Sequence, residues 1–582
     1  VAQGGTSGQL ERDDYATLVP RLVYDLVAAH GDGLIHEIVE GTLLSADISG
    51  FTRLTEELAE RGREGAEIIT RAVNSCFADL IACADSRGGD VLKFGGDAVL
   101  VIFTGPGHVA RAAAVGQEMQ FALKRNSFAQ RYQLQMTVGV ATGPFEAIIV
   151  GSRQRDLLLC GPTTTETLTL EDGAEKGEVV VSRMVRDRIG TEPRASGYVL
   201  LNASTAASEE PPPLSAEALA PFVPAALSHY WSDYADLGAE HRQAAIGFVM
   251  ISGVDAHLDA HGGLQTAREL DHFIDAVHAE LDQTGAVLLH SDMAMDGAKL
   301  LVGAGVPSAI DDPADALVHA ALRISRIDTP FTVRQGLNIG SVFAGFLGAP
   351  GRRTFTVMGD AVNTAARMTG PAGPGDVVAV QTVLDRARGQ VHGDALEPMA
   401  VKGKTTFVSA TRVSDLTPAE RSTEDEVPLT GRDGEVDDLA TALREGETVS
   451  ITGPAGSGKT RLTEEVVDPN RAISSVAGRY MVATPYGSFW AGVRRLLGID
   501  ANAGAAAAGE QLQATLQSNF PDLAEFAPLF APLAGAELEL NAVVSAIEPE
   551  FRRDVLHQRF VDMLSRPEPT ITAIVVEDAQ WL

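Results

Sequence analysis

Residues 41–48, Gly41-Thr42-Leu43-Leu44-Ser45-Ala46-Asp47-Ile48, form an apolar run that closes on a carboxylate, and residues 92–97, Leu92-Lys93-Phe94-Gly95-Gly96-Asp97, close on another. Alternation across 41–48 predicts a buried strand, and apolar residues at helical spacing across 54–84 predict a long amphipathic helix. Gly88 and Gly89 then open two strands, 91–94 and 98–103, which turn at Gly95-Gly96-Asp97. A second helix over 108–125 and a strand over 133–142 complete a β-α-β-β-α-β order of the ferredoxin-like kind. Residues 245–251, 264–284, 287–290 with 299–302, 313–326 and 332–339 repeat that order, so the chain carries an internal duplication.

Composition sets the boundaries around this repeat. At about 150 residues per domain, 582 residues make three or four domains. Residues 203–224, with Pro211, Pro212 and Pro213, read as an extended or disordered linker, and the acidic stretch 414–428 reads as another. The expected organisation is a helical lead-in (1–40), a first domain (41–200), a linker (201–242), a second domain (243–413), a linker (414–428) and a third domain (429–582). A hydrophobic content of 45% excludes global disorder, and no apolar run reaches the ~18 residues needed to span a bilayer.

The formal net charge of −32 sets the average surface against nucleic acid. An anionic nucleotide must therefore be held by local devices: a metal, a glycine-rich loop or a few placed Lys and Arg. The sparse cysteines Cys76, Cys83 and Cys160, with no secretory signal before them, point to a cytoplasmic protein, and Cys76 and Cys83, seven apart in a helical pattern, read as core residues. The start at Val1 and the stop at Leu582 suggest a piece of a longer protein.

Asp47 at a strand end and Asp97 at the adjacent hairpin tip would lie together if both strands are central. Two carboxylates beside a turn of free amides can hold hard divalent cations against a triphosphate. Taken singly, each reads equally as an ordinary turn residue.

The stretch Ala46-Asp47-Ile48-Ser49-Gly50-Phe51-Thr52, with Leu92-Lys93-Phe94-Gly95-Gly96-Asp97, resembles the metal-binding half of a class III nucleotide cyclase. Residues 356–368, from Thr356 through Asp360, Asn363 and Arg367 to Met368, resemble the substrate-orienting half, and Val401-Lys402-Gly403-Lys404 its phosphate-contacting segment. With the domain order, the chain resembles the soluble adenylyl cyclases: two tandem cyclase domains, then an NTPase. The fold so implied is α+β, two ferredoxin-like cyclase domains in a pseudo-twofold pair followed by an α/β P-loop NTPase domain cut short at the end of the chain.

The resemblance implies Asp47, Asp97 and Ile48 as the residues of two Mg²⁺ or Mn²⁺ ions. Ile48, Ser49, Gly50, Phe51, Thr52 and Thr356 would contact substrate, and Asn363, Arg367 and Lys402 would act on ribose, phosphorus and terminal phosphates. Aligning the halves on Ile48-Ser49-Gly50 and Ile251-Ser252-Gly253 sets Met250 opposite Asp47, Gly297 opposite Asp97, Leu158 opposite Thr356, Thr165 opposite Asn363 and Thr169 opposite Arg367. Each half lacks what the other keeps, so the pair would form one complete site and one degenerate site. Where the family places a lysine beside the base, His290 or Met293 stands here. In the degenerate site Lys93 is kept, but Thr169 replaces the arginine of bicarbonate-responsive relatives.

The third domain carries Gly453-Pro454-Ala455-Gly456-Ser457-Gly458-Lys459-Thr460 between an expected strand (448–452) and a helix from Arg461. This is a phosphate-binding loop: Gly453, Gly456, Ser457, Gly458 and Lys459 would cradle ATP, and Thr460 would hold its Mg²⁺. The apolar run 571–576, ending in Glu577-Asp578, resembles a Walker B strand. The expected activity is conversion of ATP to cyclic AMP and pyrophosphate at one composite site, tuned by an ATP-binding module, with neither nucleic acid nor membrane as partner. The alternatives are a guanylate cyclase and a signalling scaffold in which the NTPase is the switch.

Overall fold

The computed structural model describes residues 15, 17–50, 62–95, 98–189, 191–194, 197–200, 215–224, 227, 240–307, 310, 312–349, 351–400, 407–417, 431–453, 459–468, 471–476, 486, 489–500, 503, 505–566 and 572–577. They fall into two compact units, one holding the duplicated region to Thr417 and one holding the residues from Pro418 onward, apart from two short segments at 282–285 and 308–311 that go with the second.

In the first unit, helix α1 (Arg21–His30) leads into β1 (Ile35–Ser49), α2 (Gly62–Asp85), β2 (Asp90–Gly95), β3 (Ala98–Thr104), α3 (His108–Arg125), β4 (Gln135–Val150), β5 (Asp156–Cys160), α4 (Pro162–Asp172) and β6 (Val179–Val181). The strand order is β2-β3-β1-β4-β5, with β6 on β4. The repeat follows as β7 (Glu240–Ser252), α5 (Val254–His261), α6 (Gly263–Asp282), β8 (Val287–Ala294), β9 (Gly297–Ala304), α7 (Pro313–Ile324), β10 (Thr332–Ala349), β11 (Arg352–Met358), α8 (Asp360–Met368), β12 (Val377–Val380), β13 (Gln390–Ala395) and β14 (Ala410–Thr417). Its order is β8-β9-β7-β10-β12-β14-β13, with β11 on β10.

Alternation along β1 divides the core. Leu44, Ala46 and Ile48 face α2 and α3, in a cluster that also takes Phe343, Leu347 and Met358 from the second half. Leu43 lies in the other cluster, which joins Phe145 and Leu157 of the first half to Ile246, Phe248, Val357 and Ala361 of the second. The two halves are therefore held by shared apolar burial, at about 25 cal/mol per Å².

Two expectations about non-sheet segments change. Residues 215–224 are not an extended linker: Ala216–Leu219 is helical, Ala220–Phe222 is a 3₁₀ turn, and Leu219, Val223 and Leu227 lie in the shared core. Pro221 offers its carbonyl to the Arg155 amide at 2.6 Å, and the Arg155 guanidinium covers the Phe222 ring. The apolar residues there outweigh the prolines. Residues 448–452, exposed except for the half-buried Ile451, pair with no strand among the described residues; an apolar stretch does not make a strand where no ladder satisfies its amides.

In the second unit, α9 (Lys459–Val466) follows the loop, and β15 (Ala472–Val476) pairs in parallel with β16 (Ala573–Glu577). Helices pack around Val493, Leu512, Phe530 and Met563.

The duplication is visible in how each half seats its helix. A Cβ on Gly139 would lie 2.5 Å from the Glu171 amide nitrogen and the Thr167 carbonyl of α4, and one on Gly336 would lie 2.3 Å from the Ala365 carbonyl of α8. Gly139→Ala should force α4 off the sheet and cost about 1–3 kcal/mol, the scale of overpacking. Denaturant unfolding would measure it, and an unchanged midpoint would show that α4 can shift freely.

Candidate functional site

The ladders set the correspondence between halves. Asp47 pairs with Thr137, two residues before Gly139, and Met250 pairs with Arg334, two residues before Gly336, the glycines that seat the matching helices, so Asp47 and Met250 occupy the same place. Both hairpins bulge, at Leu92 and at Leu289, which sets Lys93 against His290. The turns differ from the expected alignment. The second hairpin is two ladder pairs longer and turns at Met295-Asp296, so Gly297 pairs with Ala294 and does not stand at the tip. Asp296 accepts hydrogen bonds from the amides of Gly253 and Asp255, at 2.8 and 3.0 Å, and so closes the loop entering α5.

On the side expected to hold the complete site, Asp47 lies half-buried two residues before the end of β1, Ile48 is fully buried with its side chain in the core, and Ser49 donates to the Gln135 carbonyl at 3.3 Å. Any contact of Ile48 with a ligand is thus through its backbone. Gly50 has φ +112°, a conformation that suits glycine where the chain leaves the strand. Thr356 on β11 is 1% exposed, and its Oγ1 meets His290 Nε2 at 3.1 Å. Burial pushes the His290 pKa down, so the ring is neutral near pH 7.

Asn363 and Arg367 lie half-buried on one face of α8, one turn apart. Among the described residues, no side-chain hydrogen bond or ion pair engages the Arg367 guanidinium. Asp97, Phe51, Thr52 and Lys402 lie outside the described residues, as do Gly456, Ser457, Gly458 and Asp578. Lys459 donates to the Gly453 carbonyl at 3.1 Å; Thr460 and Glu577 are described by backbone only.

On the side expected to be degenerate, the matching groups bond to one another. Thr165 donates to Asp255 at 2.7 Å and accepts from the Asp296 amide at 3.0 Å, and Thr169 donates to the Thr165 carbonyl of its own helix at 2.7 Å. Lys93 donates to Asp156 at 2.8 Å and to the Ser291 hydroxyl at 2.6 Å. Burial lifts the Asp156 pKa, but the charge and hydrogen bond of Lys93, with the bonds from Ser291, more than offset it and leave it below the usual range. Carboxylates and hydroxyls that already pair with one another leave nothing for a triphosphate.

The described residues hold no group of three or more His, Cys, Asp or Glu side chains arranged to bind a metal. A Mg²⁺ or Mn²⁺ site of the expected kind takes one or two carboxylates plus phosphate oxygens, and Asp47 is such a hard ligand. Its charge is felt by Glu171 on α4, whose pKa is pushed up to about 7, first by burial and then by Asp47 and Asp172, against the hydrogen bond from Thr137. Excess negative charge beside Asp47 fits an incoming cation. All three thiols are raised by burial, Cys76 and Cys160 to about 12 and Cys83 to about 11, so none serves as a thiolate ligand at neutral pH.

Sequence reading missed Glu171 and Asp296, whose neighbours come from elements far along the chain. The bulge that selects His290 over Met293 is likewise visible only in the ladder.

The model of the adenylate and guanylate cyclase catalytic domain matches residues 36–198 and 239–411, and that of an AAA ATPase domain matches 428–582. An uncharacterized protein of Mycobacterium tuberculosis is 34% identical over 136 residues, 23% of this chain and 25% of that one. Adenylate cyclase type 10 of Rattus norvegicus is 24% identical over 151 residues, 25% of this chain and 9% of the relative. The chain thus matches a quarter or less of these relatives' lengths. A solved class III adenylyl cyclase-like ATP-binding protein from Pseudomonas aeruginosa aligns over 66% of this chain and 94% of its own, at 15% identity and a TM-score of 0.46.

The Glu171 carboxyl supplies a test of the site's charge. Because its pKa is raised from 4.5 to about 7, the native state binds the proton more tightly than the unfolded chain, and Glu171 costs stability increasingly as pH rises through that window. Glu171→Gln should raise the melting temperature at pH 8 and leave it unchanged near pH 4. An equal shift at both pH values would exclude the ionisation.

Proposed function

The chain belongs to the adenylate and guanylate cyclase catalytic domain family, with an AAA NTPase domain following, and from that premise we propose that it converts ATP to cyclic AMP and pyrophosphate at one site composed from both halves. The observation that carries this reading is the asymmetry of the paired helices. Arg367 is left without an ion pair among the described residues, whereas Thr169, its counterpart across the pseudo-twofold, is bonded to the Thr165 carbonyl of its own helix.

In the reaction the ribose 3′-oxygen attacks the α-phosphorus, the 3′-proton departs, and the bond to the pyrophosphate oxygen breaks. Arg367 presents a planar fork to the α-phosphoryl oxygens, on which charge grows in the transition state. Asn363, one turn earlier, orients the ribose, and Lys402 meets the terminal phosphates. Divalent ions held by Asp47 and Asp97, with the Ile48 carbonyl, would neutralise phosphate charge and acidify the 3′-hydroxyl. Ser49, Gly50, Phe51 and Thr52, which follow Ile48 in sequence, would contact the phosphates.

The purine edge meets Thr356 and His290. A hydroxyl and a neutral imidazole each donate and accept, so together they match the N6 donor and N1 acceptor of adenine. Kinship with adenylate cyclases supports ATP; the same pair can turn to serve guanine, which makes GTP the competing substrate. The P-loop, with Lys459, Thr460 and the Glu577-Asp578 strand end, binds a second ATP with Mg²⁺ and tunes output from a cytoplasmic location.

Asp47→Ala and Arg367→Ala should each lower turnover at least ~100-fold, the scale of removing one electrostatic stabiliser. Rates with ATP and GTP, in Mg²⁺ and Mn²⁺, test the reading, and undiminished turnover in either folded variant would end it. His290→Ala should raise KM for ATP about tenfold, the effect of leaving a buried hydroxyl unpaired, and change kcat less. A fall in kcat alone would place His290 away from the base.

A further inference from the structure

Arg352 opens β11, the strand that carries Thr356, and is buried. Its Nε donates to the Val91 carbonyl and its Nη2 to the Leu92 carbonyl, both at 2.8 Å; its Nη1 donates to the Leu18 carbonyl at 2.6 Å, the Arg353 carbonyl at 3.0 Å and the Thr17 carbonyl at 3.4 Å. The guanidinium also lies 5.6 Å from the centre of the Phe94 ring.

Val91 and Leu92 sit at the β-bulge of the first hairpin, where the ladder shifts register. A bulge frees backbone groups from the ladder and re-aims the strand beyond it. Here the carbonyls at the bulge are taken up by the other half of the molecule. The strand continues to Gly95 and, two residues on in sequence, to Asp97. Asp90 at the start of β2 accepts from the Arg21 and Leu22 amides, at 3.1 and 2.8 Å, and so caps α1. The Asp90 charge is also the main influence holding up the Arg352 pKa, which burial lowers to about 10.

The pseudo-twofold supplies an internal control. Gly348 at the end of β10 and Gly151 just past the end of β4 both have positive φ, and a Cβ on either would lie 2.2 Å from the carbonyl of Arg352 or Gln154. Gln154 is thus the counterpart of Arg352. It reaches the same kind of bulge in the other half, donating to the Leu288 carbonyl at 3.2 Å. An arginine with five carbonyl contacts serves the hairpin that leads to a metal ligand, and a glutamine with one serves the hairpin that does not.

We infer that Arg352 is a positioning residue for cyclisation: by binding the bulge carbonyls of β2 and the carbonyls just before α1, it locks the strand leading to Asp97 against the strand that carries Thr356. This rests on the cyclase reading for its catalytic consequence, though the clamp itself is a property of the fold. It also makes α1 part of the device, since Arg352 and Asp90 bind α1 and β2 to each other.

The test uses the full chain with Arg352→Gln, which writes in the residue of the other turn, and Gln154→Ala as the control. Amide hydrogen exchange over residues 21–30 and 90–95 reads the clamp without catalysis. Mn²⁺ binding beside 3′-deoxy-ATP, followed by its paramagnetic resonance, reads the metal ligands. Arg352→Gln should speed exchange in both segments and weaken Mn²⁺ binding about tenfold, the scale of losing a charge-assisted hydrogen bond. Gln154→Ala should leave Mn²⁺ binding and turnover unchanged. If Arg352→Gln does not fold, Arg352→Lys, which keeps the charge but loses the fork, should show the same changes at smaller size. Unchanged exchange or unchanged Mn²⁺ affinity in the folded arginine variant, or an equal loss in Gln154→Ala, overturns the assignment. Absence of any cyclic product from the unaltered chain would instead overturn the cyclase reading, with the exchange result still judging the clamp.

Discussion

The inner faces of the two sheets are apolar, and they are buried against one another together with α1 and the segment around Leu219. Leu43, Phe145 and Leu157 of one half share a core with Ile246, Phe248 and Val357 of the other, so a half taken alone would expose this face to water. The pairing brings the end of β1 into one unit with the strand and helix that carry Thr356, Asn363 and Arg367. Once the halves are joined this way, two related sites are unavoidable, and selection can act on each separately.

That separation is written in hydrogen bonds. Lys93, Asp156 and Ser291 close the base end of one site, and Thr165, Asp255 and Asp296 close its other end. The donors there are committed to protein acceptors, and the carboxylates among them oppose a polyanion. In the other half His290 Nε2 meets Thr356 Oγ1 while its Nδ1 faces the Ser291 carbonyl at 3.4 Å, and the contact between ring and hydroxyl is one that a purine edge could replace without leaving charge stranded.

Much of this was legible in the sequence. The helix over 108–125 was read to the residue, because its apolar spacing is regular and Gly107 and Asn126 bracket it. The sorting of Asp47 from Met250 and of Arg367 from Thr169 followed from comparing the two halves, since the strand-end motif and the helix keep their spacing in both. The hairpins resisted, because a bulge and two extra ladder pairs alter register without changing composition. Arg352 was also unreadable: Arg352-Arg353 in a turn looks like solvated charge, and its partners are backbone carbonyls, which carry no sequence signal. Prolines at 211–213 drew attention from Leu219 and Val223, whose burial decides how residues 215–224 pack.

The central claim is that the paired halves contain one nucleotide site, not two. The most direct measurement is the binding stoichiometry of 3′-deoxy-ATP with Mn²⁺ to the full chain carrying Lys459→Ala, which removes the phosphate-binding loop as a competing site. One equivalent per chain, lost on further substitution of Arg367 by Ala, is the predicted result. Two equivalents, or one that survives the loss of Arg367, would contradict it.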